Sequence, residues 1–372
     1  MVDPRDQRNI THSFNDIIII SLSAMLSGAE DYKSFEAFGI AKEGFLRQFL
    51  NLKNGIPSHD TFRNVFMLLD PQKFGAWFRL WVVECYEVLL NKHICIDGKW
   101  LNGTDQKGKP QSAIKMVNAW ATELGVSFGQ LEVAEGSNEI TTLPKLLRML
   151  FLKGCIVTMD AAHCQAENTK IIIAQGGDYI VPVKKNQKDL YQKVELIFDT
   201  QGTTTFTETI DSRSSTQTDE HGRHETRKCE VIRDPGILNW LNPKNRWCEI
   251  SSIVRITRTR SNKATPEKVS TKVIYYISSL KVNSVTFNQC VREHWKIESG
   301  LHWVLDVAFH EDACHVYDRN AAANMAILRQ IAVNLIKKDK NRKNSIKTSR
   351  LEAGWNNDYL FNLIEPLLFG VT

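Results

Sequence analysis

Over the first 92 positions apolar residues return every three or four places, the spacing of helices that bury one face. It predicts helices over Phe14–Leu26, Lys33–Phe38, Ala41–Leu50, Ser58–Leu69 and Pro71–Leu90, with Ser58 as an N-cap behind Pro57. From His93 the rhythm changes to that of strands. HICIDGKW, AIKMVNAWATEL and VSFGQLEVAE, divided by turns at Gly103, Gly108 and Gly125, predict three antiparallel strands. A helix over Asn138–Leu152, introduced by Ser137, carries Ile140, Leu143, Leu146, Leu147 and Leu150 at helical spacing. CIVTMDAAH then reads as a strand ending in a carboxylate, Ala166–Gln175 as a helix stopped by Gly176 and Gly177, and DYIVPVKK as a strand. Strands alternating with helices predict a mixed α/β sheet.

Between Gln201 and Leu280 the runs TTFTETIDS, HETRKCEVIRD, WCEISSIVRITRTR and KVIYYISSL predict an inserted β-rich subdomain. Helical spacing resumes over Phe287–Phe309 and Ala321–Lys338, followed by a basic stretch and an apolar tail from Tyr359 to Phe369. The expected organisation is a helical domain over 1–92, a core over 93–200 and 281–340 interrupted by the insertion at 201–280, and a basic C-terminal segment over 341–372.

Composition narrows the class. With 42% hydrophobic and 24% charged residues, and 20 Gly plus 10 Pro in 372, the chain is neither disordered nor low-complexity. The longest apolar-leaning run, Ile17–Leu26, is interrupted by serines and falls short of a membrane span, and the N-terminus lacks a secretory cleavage pattern. A cytoplasmic protein with no membrane partner is expected. Eight cysteines lie scattered, none in a CxxC pair, which fits reduced thiols packed as small apolar residues. His310, Cys314 and His315 are the one metal-like grouping, and ordinary packing is the simpler account of them, since no second ligand pair matches.

Net charge is +5, and its placement matters more than its size. Lys337–Arg350 holds seven Lys or Arg and one Asp, a local +6, so the rest of the chain sums to −1. Arg255, Arg258, Arg260, Lys263 and Lys268 form a second cluster on a strand and turn. Such clusters suit a phosphate backbone, though a solvated face is the commoner meaning of one charge run. Residues 58–90 are spaced for a helix-turn-helix, but eleven acids against ten bases leave positions 1–92 at −1.

Asp97 and Asp160 each end an apolar run, where carboxylates face a turn at the rim of a sheet. A third acid, Glu298 in VREHWKIESGLHWVLDV, shares one side of a regular helix with Trp295, Leu301 and His302, and is expected to point inward. A buried carboxylate needs a partner. Either a basic side chain supplies it, or three acids share a divalent cation, for which magnesium is suited.

The order Asp, Asp, Glu at intervals of 63 and 138 resembles a DDE transposase. The stretches DGKWLNGT, SNEITTLPKLL, TMDAAHCQ, GGDYIVPVKKNQ and HWKIESGLHWVLDVAFHED resemble the H-repeat-associated insertion-sequence transposases in particular. That resemblance implies an RNase H-like mixed-sheet core with a β-rich insertion and an all-α N-terminal domain. It implies Asp97, Asp160 and Glu298 as catalytic acids holding Mg2+, with Mn2+ as substitute, and double-stranded DNA as partner, both element inverted repeats and target, bound by a homodimer in the nucleoid. It marks Lys99, Lys184, Asn186 and Gln187 as motif positions near the DNA. Lys185 stands where a glycine is common and Asn102 where an arginine is expected. A Tyr, Arg, Glu, Lys signature of related cut-and-paste enzymes reads here as Val291, His294, Glu298 and Leu305, so Arg292, His294 and Lys296 become the substitutes. His163 and His302, near the acids, are candidate supports or proton relays. Alternatives are a nuclease that does not join ends, a catalytically silent DNA-binding descendant, and a phosphatase, disfavoured because Lys99 stands where a second Asp is needed.

Overall fold

Five helices open the chain where the spacing placed them: α1 (Phe14–Leu26), α2 (Tyr32–Ala41), α3 (Glu43–Leu46), α4 (His59–Leu68) and α5 (Pro71–Cys85). Ser58 caps α4 by accepting from the Thr61 amide. Then come β1 (His93–Leu101), β2 (Ile114–Ala121), β3 (Val126–Glu132), α6 (Glu139–Met149), β4 (Ile156–Met159), α7 (Ala166–Ala174), β5 (Asp178–Val183) and α8 (Lys188–Asp199). They are followed by β6 (Ser212–Glu220), β7 (Arg223–Ile232), α9 (Pro235–Leu241), β8 (Ser252–Asn262), β9 (Thr265–Ser278), α10 (Ser284–His294), α11 (Trp303–Phe309), α12 (Arg319–Lys338), α13 (Ile346–Trp355) and α14 (Asn357–Leu368). The computed structural model describes residues 1–369 except 7, 9, 86–91, 106–112, 200–209 and 221. The expected end of the fifth helix at Leu90, the turn at Gly108 and the strand start near Gln201 fall outside the described residues. Among those described, no helix is long and apolar enough to cross a membrane.

The chain divides into two units, one of Met1–Val88, Gly98–Gly136 and Glu298–Thr372, the other of Leu89–Asp97 and Ser137–Ile297. In the first, α12 is buried on every side from Ala321 to Ile336 and packs against α1, α4, α5 and β3. A helix enclosed all round must satisfy its polar side chains internally. Asn324 donates to the carbonyls of Phe66 and Leu69 at the end of α4. Asn334 exchanges two hydrogen bonds with the Ser127 backbone, and Gln330 donates to Asn118 and Gln130. β2 and β3 pair antiparallel, with a register shift between Ala119 and Trp120.

In the second unit the strand order is β1-β4-β5-β9-β8-β7-β6. β1, β4 and β5 are parallel, and the remaining pairings are antiparallel. The stretch expected as an insertion adds four strands to this same sheet, Ile180–Val183 of β5 lying opposite Ser278–Tyr275 of β9. Phe287, Cys290 and Val291 of α10 close one core against Ile180, Cys229, Val231, Val254, Ile256 and Tyr276. Helices absent from the sequence expectations appear: α8 and α9 here, α9 beginning at Pro235 behind an Asp234 cap, and α13 and α14 in the first unit, where a basic stretch and an apolar tail were expected. Asn138, not Ser137, caps α6, through a reciprocal pair of bonds with Thr141.

Candidate active site

The parallel register of β1 and β4 ends with Ile96 opposite Met159. Asp97, midway along β1, and Asp160, just past the end of β4, are the next residues, so both lie where the pairing of the two strands stops. Parallel connections leave this end of the sheet open to ligands. Asp160 caps the single turn Ala161–His163, its Oδ1 accepting from the His163 amide at 3.2 Å, and its side chain remains 44% exposed.

Several groups fix that turn. The His163 ring is fully buried, with Nε2 3.7 Å from Asp160 Oδ1 and 3.7 Å from Glu139 Oε2. Asn186 donates to the Ala161 carbonyl and Gln187 to that of Cys164, both at 2.8 Å. The two amides expected at the DNA therefore tie the loop after β5 to the Asp160 turn. Behind it, Thr158 Oγ1 lies 2.8 Å from His93 Nε2 and 3.0 Å from His294 Nδ1, and His93 Nδ1 is 3.5 Å from Glu293. Burial, helped by the neighbouring His93, pulls His294 down to about 4, so its ring is neutral near pH 7. His294 thus supports β4. Glu139, His93 and Thr158 were not singled out from sequence, although Glu139 stands at the head of a helix within SNEITTLPKLL.

Glu298 is placed differently from expectation. The regular helix ends at His294, and Glu298–His302 forms a single π-helical turn before α11. One extra residue in a turn breaks the three-and-four phase that placed Glu298 beside Leu301. Leu301 is buried, whereas the Glu298 side chain is 56% exposed and Trp295 points to solvent. The acid faces outward and needs no buried counter-ion. His302 Nδ1 lies 3.5 Å from its carboxylate, and burial lowers the basicity of that ring.

Lys99 is also reassigned. Its side chain is 7% exposed, and its ammonium lies 2.7 Å from Asp306, 3.1 Å from Asp312 and 3.2 Å from Glu311. Burial works against the charged amine, but the three carboxylates outweigh it and raise its pKa. Glu311 is buried between Lys99 and Arg329. Asn102 donates to Asp312 and extends the same cluster. Lys99 therefore joins β1 to the segment after Glu298 and does not face a ligand.

The basic positions sort by exposure. Lys184, Lys185, Arg292 and Lys296 are exposed, and Lys296 lies 3.2 Å from Glu293. The strand alternation of β8 puts Arg255 on the opposite face from Arg258 and Arg260. Arg255 pairs with Glu230 and lies over the Phe198 ring, while Arg260 pairs with Glu225. Within the C-terminal basic stretch, Arg350 is buried and donates to the carbonyls of Met25, Ala29 and Ala308. Part of that local +6 is thus structural. His310 pairs with Glu30, and His315 approaches the Gly103 carbonyl, so the two turn to different partners.

Residues 89–335 match the transposase DDE domain family, and residues 1–82 match the domain associated with it. The putative transposase YncI of Escherichia coli O157:H7 is 33% identical over 359 residues, 96% of this chain and 90% of that protein. The H repeat-associated putative transposase YhhI of Escherichia coli K12 is 33% identical over 363 residues, covering 97% and 95%. A piggyBac transposase synaptic complex with hairpin DNA aligns over 99% of this chain and 76% of that one, at 12% identity and a TM-score of 0.45.

Proposed function

Because the chain belongs to the DDE transposases, and within them to the H-repeat-associated family, we propose that it cuts DNA at the ends of a mobile element and joins the freed 3′-hydroxyl to target DNA. One observation carries the reading. Asp160 and Glu298, both within the matched segment, are substantially exposed, and among the described residues their ion-pair partners are histidines rather than Lys or Arg. Carboxylates held by a folded frame yet left without a cationic partner are suited to a cation from solution.

In this account Asp97, Asp160 and Glu298 are the catalytic acids and the ligands of magnesium, replaceable by manganese. Their all-oxygen donor set fits a hard divalent ion. When bound, a pair of such ions activates the attacking oxygen and stabilises the leaving one. The chain's own residues do the rest. Asn186, Gln187 and His163 hold the Asp160 turn, and His302 stands beside Glu298 to fix its carboxylate or relay a proton. Lys184, Lys185, Arg292 and Lys296, joined by Arg258 and Arg260, hold the phosphate backbone, which makes affinity fall steeply with salt. Water as nucleophile gives cleavage and a DNA 3′-hydroxyl gives joining, so one site serves both steps.

The division of labour follows the sequence boundaries. Residues 1–92 read the element ends, 93–200 and 281–340 form an RNase H-like core around the β-rich 201–280, and 341–372 adds backbone contacts. Action on two ends calls for a homodimer assembled on DNA, at the nucleoid. Inverted repeats flanking the coding region identify the substrate. The full chain, magnesium, pre-cut ends carrying those repeats and a supercoiled plasmid then test the reading. Joined product is expected. Cleaved or nicked DNA with no joined species removes the transfer step and leaves a nuclease, and bound but uncut DNA leaves a silent binding protein.

A further inference from the structure

Within the first unit, Lys337 and Trp120 converge on the peptide of Gly300, midway through the turn that carries Glu298 and His302. Lys337, near the end of α12, donates from Nζ to the Gly300 carbonyl at 3.0 Å and lies 4.0 Å from the centroid of the Trp120 ring. Trp120 is buried at the register shift between β2 and β3, which leaves it little freedom to move. Gly300 packs closely against it. A Cβ there would stand 3.0 Å from Trp120 Cζ2 and 3.5 Å from Cε2.

A lysine is a costly residue for this place. Among the described residues no carboxylate pairs with it, and burial pulls its pKa down to about 7. Packing alone would be served by Met or Leu. What the amine adds is a donor for one carbonyl. A π turn departs from the regular ladder of its flanking helix, and a side-chain donor on one of its carbonyls adds a hold on its direction.

We propose that Lys337 is a positioning residue for the metal-binding carboxylate, holding the Gly300 peptide against Trp120 so that Glu298 and His302 are presented in one fixed direction. The proposal rests on the reading of Glu298 as a metal ligand. It requires no contact between Lys337 and the metal or DNA, only that the turn loses its direction when the amine is removed. Groups that orient metal ligands commonly change affinity by about 10–100-fold when removed.

The test measures Mn2+ binding to the full chain without DNA, following free Mn2+ by electron paramagnetic resonance, alongside the metal-free melting temperature. Glu298→Gln should abolish the site. Lys337→Met should weaken Mn2+ binding about tenfold with an unchanged or higher melting temperature, since an apolar chain of similar length replaces a buried amine. Lys337→Arg, which keeps a donor, should recover much of the affinity. Gly300→Ala, which leaves the lysine in place but presses the turn against Trp120, should weaken binding as well, and it decides the matter if Lys337→Met does not fold. Wild-type affinity in Lys337→Met, or in Gly300→Ala where the first fails to fold, overturns the proposal while leaving Glu298 as ligand. Wild-type affinity in Glu298→Gln overturns both.

Discussion

Asp97 and Asp160 follow directly on Ile96 and Met159, the last paired residues of two neighbouring parallel strands. Such strands lie about 4.8 Å apart, so the two residues emerge side by side, where this reading places a shared cation. Magnesium should therefore raise the melting temperature of the wild-type chain. Asp97→Asn should gain little when metal is added, because a ligand stabilises only the state that binds it. Differential scanning calorimetry with and without 10-fold steps of Mg2+ reads both effects.

Lys99 is an internal tie. Lys99→Met leaves Glu311 buried without its amine and should cost about 3–5 kcal/mol of stability, seen as a lower denaturation midpoint at unchanged slope. Substituting Asp306, which is more exposed, should cost less. The salt dependence of DNA binding should be the same in Lys99→Met as in wild type, provided measurements are made where the variant is folded.

Acid should destabilise the second unit through His294. Its folded-state pKa lies near 4, below the ordinary histidine value of 6.5, so in the interval between them the unfolded chain binds the proton and the folded one does not. Stability should be full above about pH 6.5 and should fall as pH drops toward 4. His294→Asn, which keeps a hydrogen-bonding group for Thr158, should flatten that part of the curve when urea midpoints are compared from pH 7.5 to 4.5.

Basic residues should divide into two classes when DNA affinity is measured against salt. Lys184→Ala and Lys185→Ala should each lower the slope by about one, with little effect on folding. Arg255→Ala should leave the slope unchanged and lower stability, since its guanidinium serves Glu230 and Phe198.

The positions of the aspartates were legible in part: Asp160 follows the end of β4 as its apolar run implies, whereas β1 runs on past Asp97 to Leu101. The helical N-terminal region was legible because its caps and spacing are local. The direction of Glu298 was misread, because helical phase was extrapolated across a π turn that no spacing rule announces. The role of Lys99 depends on Asp306, Glu311 and Asp312, more than 200 positions away, and only the fold brings them to it. Arg255 could have been separated from Arg258 and Arg260 by the two-residue alternation of a strand. The spacing of Leu190, Val194 and Ile197 likewise marks α8. Lys337 and Arg350 could not be told from a solvated run, since burial of a basic side chain leaves no trace in charge counting.

On the proposed reading, Asp97, Asp160 and Glu298 together cut and join DNA. The most direct measurement compares wild type with Asp97→Asn, Asp160→Asn and Glu298→Gln in magnesium, using labelled element ends and scoring binding and cleavage in the same reactions. Each variant should bind the ends as wild type does and lose at least about 1,000-fold in cleavage rate, as expected when a group acting in the transition state is removed. Cleavage at the wild-type rate by any one of the three would contradict the account.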